Sequence, residues 1–438
     1  MVIGGRREVH SGKPEIVKRN KRIIGGNLVP RRYCHENWAM ARVTLLLKLA
    51  RFTTLAIGTL FVAALCAMAQ APASGTNLDR ALLEAVDRDD RASVERLLDG
   101  GANIEGVHGN KETPLLMAAD RGRAAIVKLL VERGANIHAQ DESGETALAM
   151  VARRADSELT RILLERTPTL TEKNQALLAA TRSEPAVINL DAPEGTDKFA
   201  QADEMNYESS APYAEVVNLL LDAGANIEAR DYDGNTPLMS AASYGEAMVV
   251  KVLLARGADI NASDPEGGTA LMGAACDCGV IDKPDTRASL KLLLDSGAKI
   301  ELKTKEGKTA LMFAATSDRS DLLELLLQKG ANINATDRDG NTALILAAEG
   351  SVIPTAGAVK TLLEHGAVVN ATNKSGQTAL MLAATGRGSE SDAILELLLR
   401  WGADPDLKDA HGNTALAIAS KGQHADAVRI LETATAQK

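Results

Sequence analysis

The chain has 438 residues, of which 45% are hydrophobic and only 3% aromatic, so its core must consist mainly of Leu, Ala, Val, Ile and Met. It carries 49 Lys and Arg against 58 Asp and Glu. Residues 1–69 hold 12 of these bases and 3 of these acids, which leaves 37 bases and 55 acids, a net charge of −18, for residues 70–438. Such an acidic body argues against an anionic membrane, and we expect no nucleic-acid partner.

The first 69 residues precede the part of the chain that is predicted to fold. Residues 1–39 are basic and lack apolar periodicity, which indicates disorder or sequence upstream of the true start, and both Met1 and Met40 stay open as that start. Residues 40–69 combine a positive flank, an apolar run and a final Ala-Met-Ala, the order typical of a secretory signal peptide. We therefore expect cleavage after Ala69 and export to a periplasm or to the outside of the cell.

An uncleaved membrane anchor is the alternative for the apolar segment 52–69. Its apolar run is short for a helix that needs about 20 residues to span a bilayer. Under this alternative the protein would be a membrane-tethered structural protein, and only then do we expect it to contact a membrane.

After a linker over residues 70–79, a pattern of about 33 residues recurs through residues 80–436, which is typical of stacked-repeat proteins. One unit runs in order through Thr309-Ala-Leu-Met-Phe-Ala-Ala, Asp321-Leu-Leu-Glu-Leu-Leu-Leu, Gly330-Ala-Asn-Ile-Asn and Asp337-Arg-Asp-Gly-Asn, and the pattern restarts at Thr342. Thr309 is predicted to cap a short helix with its hydroxyl. The Leu residues at helical spacing predict a second helix, which Gly330 can end. Asp337 and Gly340 supply turn chemistry for a tight loop.

These letters closely resemble the ankyrin repeat, including the Thr-Pro-Leu start kept at Thr113 and Thr236. The resemblance implies a mainly α fold, an ankyrin-repeat solenoid of stacked helix-turn-helix units joined by β-hairpin-like loops. Together with the signal peptide, it suggests an exported bacterial protein of this family. We expect about ten units, of which the fourth is degenerate and the third lacks the Gly-Ala-Asn hairpin. The predicted starts are Arg80, Thr113, Thr146, Gln175, Thr236, Thr269, Thr309, Thr342, Thr378 and Thr414.

The fourth unit contains an insertion of about 28 residues at 183–212, with three prolines, seven acids and a single base. This composition favours a solvated, mobile segment, and a binding or docking loop is the alternative. An enzyme with its site in this insertion is a further, weaker hypothesis.

Motifs that would carry chemistry fail on their spacing. Gly307-Lys308-Thr309 resembles the end of a phosphate-binding loop, but Leu302 stands where that loop needs a glycine. Asp337-Arg-Asp-Gly-Asn has its glycine at the fourth position, whereas a calcium loop has it at the sixth. We therefore predict no catalytic, cofactor-binding or metal-binding residues, no cofactor, and no enzymatic activity.

The resemblance instead implies a protein-interaction module, a scaffold or regulator that binds its partner in a concave groove. By resemblance the contact positions flank the turn glycine or follow the Ala-Ala pair. They are Tyr232, Asp233, Asn235, Tyr244, Glu266, Lys305, Glu306, Lys308, Arg338, Asp339 and Asn341. The acidic setting favours a protein partner with a basic patch, and we expect the chain itself to be a monomer.

Overall fold

A computed structural model describes residues 77–107, 111–182, 210–276, 285–317, 319–349, 356–386 and 389–436. The predicted segments 1–39 and 40–69, most of the linker and most of the insertion lie outside these residues. Within the described ranges the chain forms twenty helices in ten pairs, with isolated antiparallel bridges in place of longer strands. The predicted mainly α solenoid of stacked helix-turn-helix units is confirmed.

Each pair consists of a first and a second helix. The first helices are α1 (Asn77–Asp87), α3 (Pro114–Asp120), α5 (Ala147–Arg153), α7 (Leu170–Ala180), α9 (Pro237–Ser243), α11 (Ala270–Ala275), α13 (Ala310–Thr316), α15 (Ala343–Glu349), α17 (Ala379–Ala383) and α19 (Ala415–Lys421). The second helices are α2 (Arg91–Asp99), α4 (Ala124–Glu132), α6 (Ser157–Leu164), α8 (Ala211–Asp222), α10 (Ala247–Ala255), α12 (Asp285–Asp295), α14 (Ser320–Gln328), α16 (Ala356–Glu364), α18 (Ser389–Arg400) and α20 (Ala425–Ala436).

The helices stack in two layers, first helices on first helices and second helices on second helices. Ala314 and Ala315 of α13 are fully buried, because small side chains let neighbouring first helices approach closely. Leu322 and Leu326 of α14 are also fully buried and carry the predicted apolar stripe. The buried residues form one cluster through the described units, so each unit completes its core only with its neighbours.

Threonine hydroxyls cap most of the described first helices, but not α13. The hydroxyl of Thr342 accepts from the backbone N–H of Ile345 at 3.3 Å, and the same bond occurs at the starts of seven other first helices. At α13 the N–H of Met312 donates to the carbonyl of Thr309 at 3.1 Å, and the Thr309 hydroxyl is buried without a partner among the described residues. The predicted hydroxyl cap at Thr309 is therefore wrong, because a tighter first turn uses the carbonyl instead.

The fourth unit begins earlier than its repeat pattern predicts. Helix α7 starts at Leu170 rather than at Gln175. The Thr169 hydroxyl accepts from the N–H of Glu172 at 3.3 Å, and the Glu172 carboxylate accepts from the N–H of Thr169 at 2.7 Å. This reciprocal capping box fixes the helix start at Thr169, more than one turn before the predicted position.

Two other predicted boundaries also move. Helix α1 begins at Asn77, inside the predicted linker, and the Asp79 carboxylate ties it to the first loop by accepting from the N–H of Asn103 at 2.7 Å. Helix α8 begins at Ala211, so the last residues of the predicted insertion are helical. Pro212 fits there because the first turn of a helix does not need its N–H.

Polar side chains also join consecutive units through the loops that follow the second helices. The Asn334 side-chain oxygen accepts from the N–H of Val368 at 3.1 Å, and that of Asn370 accepts from the N–H of Asp404 at 2.9 Å. Repeated ion pairs link neighbouring second helices, namely Arg133–Asp99 at 2.8 Å, Arg256–Asp222 at 2.7 Å and Lys329–Asp295 at 2.6 Å. None of the described helices has the length and apolarity that a membrane span requires.

Candidate protein-binding surface

The loops that lead into the first helices end in tight turns, which we call fingers. The described fingers are 141–144, 231–234, 264–267, 304–307, 337–340, 373–376 and 409–412. The first side chain of a finger holds its turn: Asp337 Oδ1 accepts from the N–H groups of Asp339 at 2.9 Å and Asn341 at 2.8 Å. Gly340 has a φ of 82°, the left-handed conformation that this turn requires.

Five consecutive fingers are joined by backbone hydrogen bonds into what we call the finger ladder. In each bond the second residue of one finger donates its N–H to the carbonyl of the third residue of the preceding finger. The bonds are Lys305 to Glu266 at 2.7 Å, Arg338 to Glu306 at 2.8 Å, Lys374 to Asp339 at 2.8 Å and Ala410 to Ser375 at 2.9 Å. The ladder fixes the positions of the fingers from 264 to 412 relative to one another.

Pro265 ends the ladder at its early side. Proline has no N–H, so the 264–267 finger cannot donate to the carbonyl of Asp233 in the finger before it. The Pro265 ring packs against Gly234 instead, 2.4 Å from where a β-carbon on that glycine would stand. The fingers 231–234 and 264–267 therefore touch through the ring rather than through a backbone hydrogen bond.

Charged side chains alternate along the ladder. Lys305 Nζ lies 3.5 Å from a Glu266 carboxylate oxygen, and Lys308 Nζ lies 2.9 Å from Glu306. The backbone N–H groups of Arg338 and Lys374 donate to the carbonyls of Glu306 and Asp339, so the order of an acid followed by a base continues along the ladder. Sequence analysis missed this pairing, although aligning the units shows an acid in the third finger position followed by a base in the second position of the next finger.

Seven of the eleven predicted contact residues are exposed on the fingers, among them Tyr232 at 91%. Lys308, directly after the 304–307 finger, is half-buried. Asn235 and Asn341 are half-buried, and their side-chain amides donate to Asp231 at 3.2 Å and to Asp337 at 3.1 Å. These two asparagine side chains therefore hold their own fingers together. Tyr244 lies apart from the fingers, directly after helix α9, and is half-buried.

The ends of the first helices face the fingers, and together they form what we call the groove face. Arg182, just after α7, pairs with Asp231 at the base of a finger, and Arg153 of α5 lies 3.4 Å from Glu145 beside another. Arg153 also reaches back to Asp120 of the preceding unit at 3.0 Å. The early part of the groove face is thus crossed by ion pairs between units.

The later part of the groove face is more apolar. Phe313, Leu346 and Ile418 occupy equivalent positions on α13, α15 and α19, and each is half-buried. The equivalent residues of the earlier helices α3 and α5 are Met117 and Met150, which are 8% and 4% exposed. Leu382, the equivalent residue of the later helix α17, is only 8% exposed, so it is α13, α15 and α19 that expose more of the apolar side chain at this position.

The described residues offer no arrangement that would hold a metal ion, since no group of three or more His, Cys, Asp or Glu is suitably placed in them. Burial raises the pKa of the Glu145 carboxyl above its ordinary value of 4.5, while the nearby Arg153 lowers it. At Asp409 the hydrogen bonds from Asn413 lower the carboxyl pKa, because they favour the ionised form. Glu145 directly follows the 141–144 finger and Asp409 is the first residue of the 409–412 finger, so their contacts stabilise these loops.

Family profiles match most of the chain. A profile described as "Ankyrin repeats (3 copies)" matches residues 82–185, 250–337, 280–373, 334–409 and 353–437. A second, described as "Ankyrin repeats (many copies)", matches residues 210–274.

The chain belongs to the ankyrin repeat family.

Solved ankyrin repeat domains are similar to parts of this chain, whereas no curated protein sequence matches it. The ankyrin repeat domain of Bcl-3, described as a unique member of the IkappaB protein family, is 30% identical. That match covers 53% of this chain and 97% of the Bcl-3 domain, with a TM-score of 0.41. The human ASB11 ankyrin repeat domain is 24% identical over 53% of this chain and 96% of its own, with a TM-score of 0.44.

Ankyrin repeats are generally protein–protein interaction modules, and the fold is typically non-enzymatic. In this ankyrin stack each first helix packs against the second helix of its own unit, and the fingers carry most of the exposed residues of the predicted contact set.

Proposed function

We propose that this ankyrin repeat protein is a scaffold or regulator that binds a protein partner along the groove face of its later units. The observation that carries the proposal is the finger ladder, which holds five fingers by backbone hydrogen bonds of 2.7–2.9 Å. A preformed surface loses less conformational entropy on binding than a mobile one. The half-buried Phe313 and Leu346 give the same surface an apolar floor beneath polar finger tips.

The partner we propose carries a basic patch. The ladder alternates acids and bases, so its own charges largely cancel at close range. The net charge of −18 on residues 70–438 is therefore what attracts a basic partner over longer distances. Such attraction speeds association and is screened by salt, so the association rate should fall as the ionic strength rises.

Substitutions along the groove face test this function. We expect Tyr232→Ala, Tyr244→Ala, Arg338→Ala or Asp339→Ala to weaken binding of a partner isolated by pull-down, with at least one change weakening it about tenfold. Lys360→Ala, on the exposed side of the second helix α16, is the control and should leave the affinity unchanged. If the affinity survives all four changes but is lost on removing residues 183–209, the insertion binds the partner and the groove proposal fails.

We further propose that the protein is exported and acts as a soluble monomer. The charge flank, the apolar run and the Ala-Met-Ala order before Gln70 support export. Mass spectrometry of the mature N-terminus should find a chain that starts at Gln70. A chain that retains the apolar run would instead favour the membrane-tethered alternative, and light scattering would test the monomer.

A further inference from the structure

Between the described fingers 141–144 and 231–234, one unit lacks a finger. Fingers precede the third unit at 141–144 and the fifth at 231–234, but α7 of the fourth unit follows the short connection 165–169 with no finger. This connection is short because the third unit lacks the Gly-Ala-Asn hairpin, and the capping box at Thr169 starts α7 directly. We call the space between the fingers 141–144 and 231–234 the finger gap.

The glycine of the finger before the gap faces space that no described residue occupies. A β-carbon on Gly307 would stand 2.7 Å from the next finger, and one on Gly340 would stand 2.9 Å from it. A β-carbon on Gly144, at a φ of 82°, would meet no heavy atom of the described residues within 4 Å. At the Gly307 and Gly340 junctions the backbone of the next finger occupies this position. At Gly144 no next finger is present in the described part of the chain.

The backbone carbonyl of Ser143 would accept a hydrogen bond from the next finger if that finger were present. It holds the position that Glu306 and Asp339 hold in the ladder, where each carbonyl accepts an N–H from the next finger. The Ser143 carbonyl accepts no backbone hydrogen bond from the described residues. An incoming backbone N–H at this point would add one more bond of the same kind to the row.

A cleft with a volume of about 350 Å³ lies in the finger gap. Ala149, Leu178 and Ala179 supply apolar lining, with Leu178 and Ala179 half-buried. The side chains of Gln175 and Arg182 also line it. Their atoms Gln175 Oε1 and Arg182 Nε are buried without a hydrogen-bond partner among the described residues, so a ligand pairs with them once the side chains turn toward the cleft.

The charges around the cleft cancel. Arg153 lies 3.4 Å from Glu145, and Arg182 pairs with Asp231. A site of this kind has no excess charge to recognise an anion or a cation. It matches a peptide backbone, which is neutral and offers N–H donors and carbonyl acceptors together.

We propose that the finger gap binds a tight turn of a protein partner, which takes the place of the missing finger. A backbone N–H of the turn donates to the Ser143 carbonyl, and an apolar side chain of the turn packs on Leu178. Gln175 and Arg182 pair with the peptide groups of the same turn. The site rests on the proposed protein-binding function and adds to it a second subsite, separate from the finger ladder.

The probe for the test is a disulfide-cyclised peptide that carries the chain's own finger, Ala-Arg-Asp-Tyr-Asp-Gly-Asn-Thr-Pro from residues 229–237, whose Tyr232 ring supplies the apolar surface that packs on Leu178. Fluorescence anisotropy with the full chain should show saturable binding. Ser143→Trp, which fills the gap, and Leu178→Ala, which removes its floor, should each weaken binding about tenfold. Ser375→Trp is the control, because Ser375 has the same finger position but the next finger is present there. It should leave the affinity for the peptide unchanged. Thermal unfolding of each variant checks that the fold is kept.

Three outcomes would overturn the proposal. One is the absence of saturable binding, or binding that Ser143→Trp leaves unchanged. Another is a loss of binding in His411→Trp alone, because Gly412 at the far end of the row also faces open space. The third is binding only after residues 183–209 are removed, which would make that segment of the chain the occupant. A partner that still depends on Tyr232 and Arg338 would leave the proposed function standing in every case.

Discussion

The amide nitrogen of Arg338 lies 2.7 Å from the point where a β-carbon on Gly307 would stand. Gly307 has a φ of 83°. Gly330, two residues after the end of α14, has a φ of 89°, and a β-carbon there would meet no described atom within 4 Å. Alanine at either position pays about 1–2 kcal/mol for the left-handed conformation. We expect Gly307→Ala to lower the free energy of unfolding by more than Gly330→Ala, because only the former also pushes the next finger away. Urea denaturation of both variants measures the difference, and equal losses would mean that the fingers are not in close contact.

A second prediction concerns the core between stacked helices. Leu326 is fully buried in α14, so Leu326→Ala should lower the free energy of unfolding by about 2–5 kcal/mol. The control is Asp339→Ala, since the Asp339 side chain is exposed on a finger and should change stability by about 0.5 kcal/mol or less. Chemical denaturation compares the two, and a small effect of Leu326→Ala would contradict the stacked arrangement of second helices.

The 33-residue period was enough to predict the fold because each unit repeats the same local chemistry. The Leu stripe of α14 and the Ala pair of α13 are buried as the pattern indicates. The repeat pattern predicts the fourth unit to start at Gln175, whereas Thr169 and Glu172 fix the start of α7 locally by a capping box. The repeat pattern predicts the same hydroxyl cap at every threonine, so it could not show that the tighter first turn of α13 leaves the Thr309 hydroxyl without this bond.

The candidate surface was harder to predict than the fold. The positions of Tyr232 and Arg338 on the fingers follow from the repeat pattern. The ladder bond between Arg338 and Glu306 joins residues 32 positions apart, and it depends on how neighbouring fingers stack. The finger gap likewise depends on the finger that the fourth unit lacks. Its position becomes clear only when neighbouring units are compared in the stack. These relationships belong to pairs of units and not to any single stretch of sequence.

The unpaired hydroxyl of Thr309 gives a third prediction. Because this hydroxyl is buried and forms no hydrogen bond with the described residues, Thr309→Val should leave stability unchanged or raise it slightly. Thr342→Val is the matched control, since the Thr342 hydroxyl caps α15 by accepting from the N–H of Ile345 at 3.3 Å. Loss of that cap should cost about 1 kcal/mol. Thermal or urea unfolding of the two variants decides, and an equal cost at both threonines would show that the Thr309 hydroxyl is paired.

The last prediction concerns the pH dependence of stability near Glu172. Burial opposes ionisation of this carboxyl, which is 6% exposed, but its hydrogen bonds from the Thr169 backbone and from His138 Nδ1 at 2.9 Å outweigh it. The pKa of Glu172 in the folded chain is therefore below its ordinary value of 4.5. A lowered folded pKa means that the unfolded chain takes up the proton first as the pH falls. The contribution of Glu172 is thus complete above about pH 4.5 and is lost as the pH drops through the folded pKa.

Glu172→Gln keeps an acceptor for the Thr169 N–H but cannot ionise, so it isolates this effect. We expect the free energy of unfolding of the wild-type chain to fall more steeply below about pH 4.5 than that of the variant. Glu364→Gln is the control, because Glu364 is exposed and its ion pair with Lys360, at 3.7 Å, contributes little. Urea denaturation across the acidic range gives the slopes. Identical slopes for the wild type and Glu172→Gln would show that the carboxylate is not held by the Thr169 cap and His138.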